Sequence, residues 1–341
     1  MTTDNKKIIL ILYFLLAIAV FIFFDFTDSP DFQSYLNWYE SSINLSYLDT
    51  WVLLKDPGFY FLSNFSYFLS LGVLGVIFIL FTISISTKML VAYRFLNAEM
   101  FFWFGVLYLS RLFIIHDLIQ YRAGAAIGLG FLSFFFYLNS YRLRAGMFFL
   151  IAASIHLSAI LILVVIPLHS FLRKRQSANL FNFIVISFIL SFCVVLIDPY
   201  RLFMGLMAKI PFLQERIAPY VDGSYQTSAI PLFNTYVLIK ISIFIFFLRW
   251  IYLNQDKELV RNNYLLFLSF FISFFSLVLG WFFRGNDSLA IRLSDFYCIY
   301  DVLFFVLALN VFAESSKPLY RLYILISAAI FLYSSAKLIL H

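Results

Sequence analysis

Arg122 and His156 are the two residues whose types and positions most suggest chemistry. Arg122 opens one apolar segment, in Tyr121-Arg122-Ala123-Gly124-Ala125-Ala126. His156 lies well inside the next, in Ala152-Ala153-Ser154-Ile155-His156-Leu157-Ser158-Ala159. An arginine at membrane depth costs about 2.5–3.5 kcal/mol on insertion scales, so such groups mark a site or pair with each other. Around them in the sequence stand further groups that hydropathy puts at depth or on one membrane face. These are Asp25, Asp28, Asp31, Asp56, Arg111, His116, Asp117, Arg216, Arg284, Asp287 and Arg292. Guanidinium forks bind phosphate oxygens bidentately and stay charged. A carboxylate beside them could take a proton from a hydroxyl. The set suits a reaction in which a sugar leaves a lipid pyrophosphate and joins another sugar. No P-loop, DxD or HExxH sequence is present, which counts against nucleotide-sugar or zinc chemistry.

The elements that must position these groups are membrane helices. Hydrophobic residues make up 63% of the 341-residue chain and charged ones 12%, more apolar surface than a soluble domain of this size can bury. The apolar runs are long and continuous, without the alternation of a transmembrane barrel. The expectation is an all-α polytopic membrane protein of about nine to eleven transmembrane helices, forming a single integral membrane domain over residues 1–341. The net charge of +6 fits an excess of Lys and Arg in inner loops rather than nucleic-acid binding. The two cysteines match no metal spacing.

Lys6 and Lys7 precede a first, uncleaved span over 8–24, with its N-terminus inside. Residues 25–57 form an outer segment in which six acids stand against Lys55 alone, interleaved with Tyr35, Trp38, Tyr39, Tyr47 and Trp51. Acids with aromatics fit a sugar-binding surface; a solvated loop with an interfacial aromatic belt is the alternative. Asp56-Pro57-Gly58-Phe59 reads as a turn, followed by a membrane-skirting helix, a break near Gly72 and a span to Ser86. Lys88 and Arg94 are then expected inside. A third span covers 100–115, with Arg111 near its outer end and His116 and Asp117 emerging outside. The fourth starts at Arg122 with the small face Gly124, Gly128 and Gly130, which suits close helix packing. A simple span over 146–172 would leave Arg173-Lys174-Arg175 outside. That stretch therefore reads as a re-entrant pair of half-helices with Ser154, His156 and Ser158 lining the turn. Further spans fall near 179–197, 231–250, 263–283, 291–312 and 319–339, with residues 198–230 as a second outer segment.

The ordered series Asp31…Tyr35, Asp56-Pro57-Gly58-Phe59, the Arg122 and His156 motifs and Arg292…Phe296-Tyr297 resembles the EpsG-like polysaccharide polymerases. These are Wzy-type O-antigen and exopolysaccharide polymerases, related to lipid-dependent (GT-C) glycosyltransferases. The resemblance spans roughly residues 28–310. Where the family usually has Glu before Pro-Gly and Gln after the arginine, this chain has Asp56, which keeps the charge, and Ala123, which lacks the amide. The resemblance implies a GT-C-like fold in a bacterial inner membrane, with the active face periplasmic. It implies transfer of a glycan from undecaprenyl pyrophosphate to a new lipid-linked repeat, without cofactor or metal. Its partners would be the lipid-linked glycans, the bilayer, and a chain-length regulator and flippase of the same pathway, with no nucleic acid. Asp31 would be the base, with Asp56 behind it and His156 a further catalytic candidate. Arg122, Arg292, Arg284, Arg111, Asp117 and Tyr35 would bind substrate or its pyrophosphate. A flippase of lipid-linked sugars and an O-antigen ligase are the alternatives.

Overall fold

The structure, a computed structural model, describes residues 3–45, 56–173, 180–196, 199–207, 209, 230–254 and 258–337. Regular structure among them is entirely helical. Among the described residues seven helices are long and apolar enough to cross a membrane, or eight when the bent pair Leu289–Asp295 and Cys298–Asn310 is taken as one span. The chain is therefore an all-α, multi-pass membrane protein. The expected nine to eleven spans are reached only by adding the shorter apolar helices Leu157–Arg173 and Leu180–Leu196. The chain forms two compact units, Met1–Val164 with Phe312–His341, and Val165–Val311.

In the first unit α1 (Thr3–Phe23) is followed by α2 (Phe32–Ser42), α3 (Pro57–Phe68), α4 (Gly72–Phe95), α5 (Ala98–Asp117), α6 (Tyr121–Leu138) and α7 (Arg142–Ile155). A 3-10 stretch, Leu157–Val164, and the Lys317–Ala336 helix complete it. α1 is almost wholly unburied, as a lipid-facing helix should be. Pro57 starts α3 at its first turn, where its missing N–H is no loss. The break before α4 falls where expected, with Ser70 and Gly72 both at positive φ. Asn97 caps α5 by accepting the Met100 N–H at 2.9 Å.

α6 packs between α4 and α7, and its glycines explain how closely. A Cβ on Gly128 would lie 2.2 Å from Thr87 Oγ1 and 3.0 Å from the Ser84 carbonyl, and one on Gly124 only 2.1 Å from the His116 carbonyl. The second half of α5, Tyr108–Asp117, winds as a π-helix, with Leu118 N–H reaching the Phe113 carbonyl and Gln120 N–H that of Ile115. That wider winding carries the helix two residues beyond the expected end of the span.

Two expectations are corrected here. Lys88 does not follow a span that ends at Ser86; it sits within α4, fully buried. Asp117 does not emerge outside; its side chain is also 0% exposed, and the two form an ion pair at 2.8 Å. Ser84 donates to the same carboxylate oxygen, Tyr108 to the other. His116 is likewise buried. A carboxylate so fully engaged inside helices is not placed to contact a substrate. The physical reason is pairing: neither charge would be tolerable at that depth alone, and together with two hydroxyls they neutralise each other.

In the second unit, the Thr235–Leu253, Tyr264–Phe282 and Cys298–Leu307 helices enclose a second cluster of the same composition. Lys240 pairs with Asp301 at 2.8 Å, both nearly unexposed. Tyr236 donates to the other Asp301 oxygen, and Lys240 to Ser276 Oγ at 3.1 Å.

Lys88→Met alone strands the Asp117 carboxylate and should cost about 3–5 kcal/mol. Lys88→Met with Asp117→Leu should recover at least half of that, measured by thermal unfolding of the purified protein in detergent. A double variant as unstable as the single one would contradict this view of the pair.

Candidate active site

Asp56 immediately precedes α3 and has φ 27°, ψ 64°. Pro57 disfavours the right-handed helical region for the residue before it, and aspartate is among the residues that tolerate positive φ. Gly58 then permits close approach, since a Cβ there would lie 2.5 Å from Ser154 Oγ and 2.9 Å from the Ser154 carbonyl carbon. The Asp56-Pro57-Gly58 sequence thus presses the start of α3 against the end of α7.

There the chain breaks. His156 leaves helical geometry at φ −153°, ψ 117°, its N–H still bonded to the Ala152 carbonyl. The break falls among the polar residues Ser154, His156 and Ser158. It frees the Leu157 N–H, which donates to Asp56 Oδ1 at 3.2 Å. His156 Nδ1 stands 3.7 Å from Asp56 Oδ2, a distance for charge interaction rather than a direct hydrogen bond. Arg122 Nη1 donates to the same Oδ2 at 2.6 Å. One carboxylate therefore gathers the start of α3, the start of α6 and the end of α7.

α2 covers the arginine. The guanidinium lies 3.7 Å from the centre of the Trp38 ring, with Phe59 and Tyr35 at 5.2 and 5.6 Å. The Arg122 N–H donates to Tyr35 Oη at 3.2 Å, and Tyr35 is itself buried against Tyr121 and Phe59. Arg122 Nε is buried without a protein partner. The cluster is not sealed: the side chains of Arg122, Asp56 and His156 remain 13%, 18% and 28% exposed.

Burial pushes the Asp56 carboxyl up, but His156, Arg122 and the Leu157 N–H outweigh it and hold its pKa below the ordinary 3.8. Asp56 is thus a poor proton acceptor at neutral pH and a good anchor for the Arg122 guanidinium.

Of the other residues singled out from sequence, Asp31 is half-buried at the N-terminal boundary of α2, and its carbonyl accepts the Tyr35 N–H at 3.1 Å. Arg111 belongs to α5, its guanidinium 5.9 Å from the Phe331 ring centre, so its surroundings are the Lys317–Ala336 helix. Arg284 and Arg292 belong to the second unit, Arg292 exposed on the Asp287–Asp295 helix. Arg216, residues 46–55 and most of the 198–230 segment lie outside the described residues. Among the described residues no group of three or more His, Cys, Asp and Glu could hold a metal. Sequence reasoning did not single out Trp38 from its aromatic neighbours, nor Lys88, Lys240 and Asp301. A charge in the middle of an apolar run was the available signal for the last three.

The stability that Asp56 supplies has a definite pH sign. Its folded pKa is depressed, so the contribution is present above the unfolded value and lost as pH falls through the lower folded value. Asp56→Asn should lose about 1–3 kcal/mol at pH 7. It should also lack the part of the acid-induced destabilisation below pH 3.8 that wild type shows, as read from unfolding in detergent across pH.

A family model described as the EpsG family matches residues 8–338. No curated protein and no solved structure matches the chain.

Proposed function

The chain belongs to the EpsG family, and from that premise we propose that it polymerises lipid-linked oligosaccharide repeats. The observation that carries this reading is the Asp56 carboxylate, which holds an arginine fork and an imidazole together at one partly open site. The donor would be a glycan on undecaprenyl pyrophosphate, and the acceptor a hydroxyl on the next lipid-linked repeat. The bacterial inner membrane, at its periplasmic face, is where such substrates would meet. The product would be O-antigen or exopolysaccharide.

In the step itself, His156 takes the proton of the acceptor hydroxyl. The acceptor oxygen bonds to the donor's anomeric carbon as the bond from that carbon to the pyrophosphate oxygen breaks. The bonding pair leaves with the pyrophosphate, whose growing charge Arg122 meets with the donors Asp56 does not use. Asp56 is a positioning residue: it aims the guanidinium through the 2.6 Å bond to Arg122, and its charge, 3.7 Å from His156 Nδ1, stabilises the imidazolium that forms as the proton is taken. Tyr35 fixes the start of α6 through the Arg122 N–H. Arg284 and Arg292 are the next candidates for phosphate or glycan, and Asp31 for a second acid. Arg111 and Asp117, whose surroundings are other helices, take no direct part.

A deletion strain tests the reaction class. Loss of a polymerase leaves surface or lipid-linked glycan stopped at a single repeat. Loss of a flippase or ligase leaves no glycan at the surface, and unchanged long chains would exclude all three.

Arg122→Lys tests the phosphate role. Lysine keeps the charge but lacks the fork, so polymerisation should fall by about 10²-fold or more while the protein accumulates normally. Normal polymer from a normally abundant Lys variant would remove Arg122 from the reaction. His156→Gln and His156→Ala should both accumulate and both stop at one repeat.

A further inference from the structure

We propose that Trp38 is the stacking platform for the sugar joined directly to the donor's pyrophosphate, a role that rests on the polymerase reading. The outer segment between α1 and α3 offers several aromatics, and the structure separates them. Tyr35 and Tyr39 on the same helix are buried, as are Phe59 and Tyr60 opposite, whereas Trp38 is 37% exposed. A large aromatic held at the surface by buried aromatic neighbours is rigid and costs little ordering on binding.

Its position identifies the ligand class. The Arg122 guanidinium lies over the indole, 3.7 Å from the ring centre. A phosphate oxygen on that guanidinium and a sugar ring resting on the exposed indole would be immediate neighbours. That is the spacing within a glycosyl phosphate, where sugar and phosphate share the anomeric oxygen; a sugar several units along the glycan would lie too far away. The helix face around Trp38 adds hydroxyl partners. Ser34, one turn before Trp38, is exposed on that face, and Gln33 and Asn37 are exposed on the same helix, Gln33 Nε2 donating to Asn37 Oδ1 at 2.9 Å. A hydroxyl beside an exposed indole offers a hydrogen bond to a sugar whose C–H face rests on the ring.

The site differs from the Asp56 cluster in what it would recognise. Arg122 would bind any lipid pyrophosphate; Trp38 would add affinity only where a sugar is attached. The test measures binding of two probes to purified protein in detergent. One is undecaprenyl pyrophosphate without sugar. The other is the lipid-linked repeat extracted from a strain lacking this protein. Wild type should bind the glycosylated lipid about tenfold more tightly. Trp38→Ala should abolish that roughly tenfold difference between the two probes, and Trp38→Phe should keep most of it. A difference that survives in Trp38→Ala would overturn the proposal. So would an equal fall for both probes, because Trp38 would then serve only to hold Arg122. Elongation by wild type is followed in the same preparation. Its failure would count against the polymerase reading, while the two-probe comparison would still decide the role of Trp38.

Discussion

The carboxylate of Asp56 is the constraint on which the first unit depends. Three chain segments end at it: the start of α3 by covalent structure, the start of α6 through Arg122, and the end of α7 through His156 and the Leu157 N–H. None of these ends could close on itself. Pro57 forces Asp56 out of right-handed helical geometry, Arg122 is a permanent charge at the head of an apolar helix, and His156 breaks α7 and frees a backbone donor. The anion satisfies all three needs at once. An interaction that resolves helix ends also creates a polar opening in an apolar protein, and that opening is the candidate site.

Deeper in each unit a lysine and an aspartate remove one another's charge. Lys88 and Asp117 fix the π-wound end of α5 against α4, and Arg122 follows Asp117 by one short turn, closed by Tyr121 Oη on the Leu118 carbonyl at 2.6 Å. The position of the arginine is therefore set from two directions, by Asp56 outside and by the buried pair behind it. Such pairs are rarely the most stable filling of a core; their value lies in admitting one register and rejecting others. Lys240 and Asp301 use the same solution in the second unit, with Tyr236 in place of Tyr108 on the carboxylate, while Ser276 accepts from the lysine instead of donating to the aspartate as Ser84 does.

Much of this was legible in the sequence, for reasons that can be named. Charge against an apolar background marked Arg122 and His156, turn chemistry marked Asp56-Pro57-Gly58, and hydropathy placed most spans within a few residues. The break at His156 was readable because small and polar residues interrupt an apolar run there. Lys88 stood out only as a charge in an apolar run; its pairing partner lies 29 residues away across a helix interface that no local pattern records. Asp117 was misplaced because the apolar run stops at Ile115 while the π-helix continues. The base was expected at Asp31; the proposed mechanism gives that part to His156, which only folding brings within reach of Asp56. Among the aromatics of α2, a period of 3.6 residues could not say which one would remain exposed until α3 and α6 had covered the others.

The most direct measurement is a structure of the protein in lipid with undecaprenyl pyrophosphate bound. The account predicts a phosphate oxygen about 3 Å from the Arg122 guanidinium, beside an Asp56 still bonded to the Leu157 N–H. Pyrophosphate held elsewhere, by Arg284 and Arg292 alone, with Arg122, Asp56 and His156 undisturbed, would contradict it.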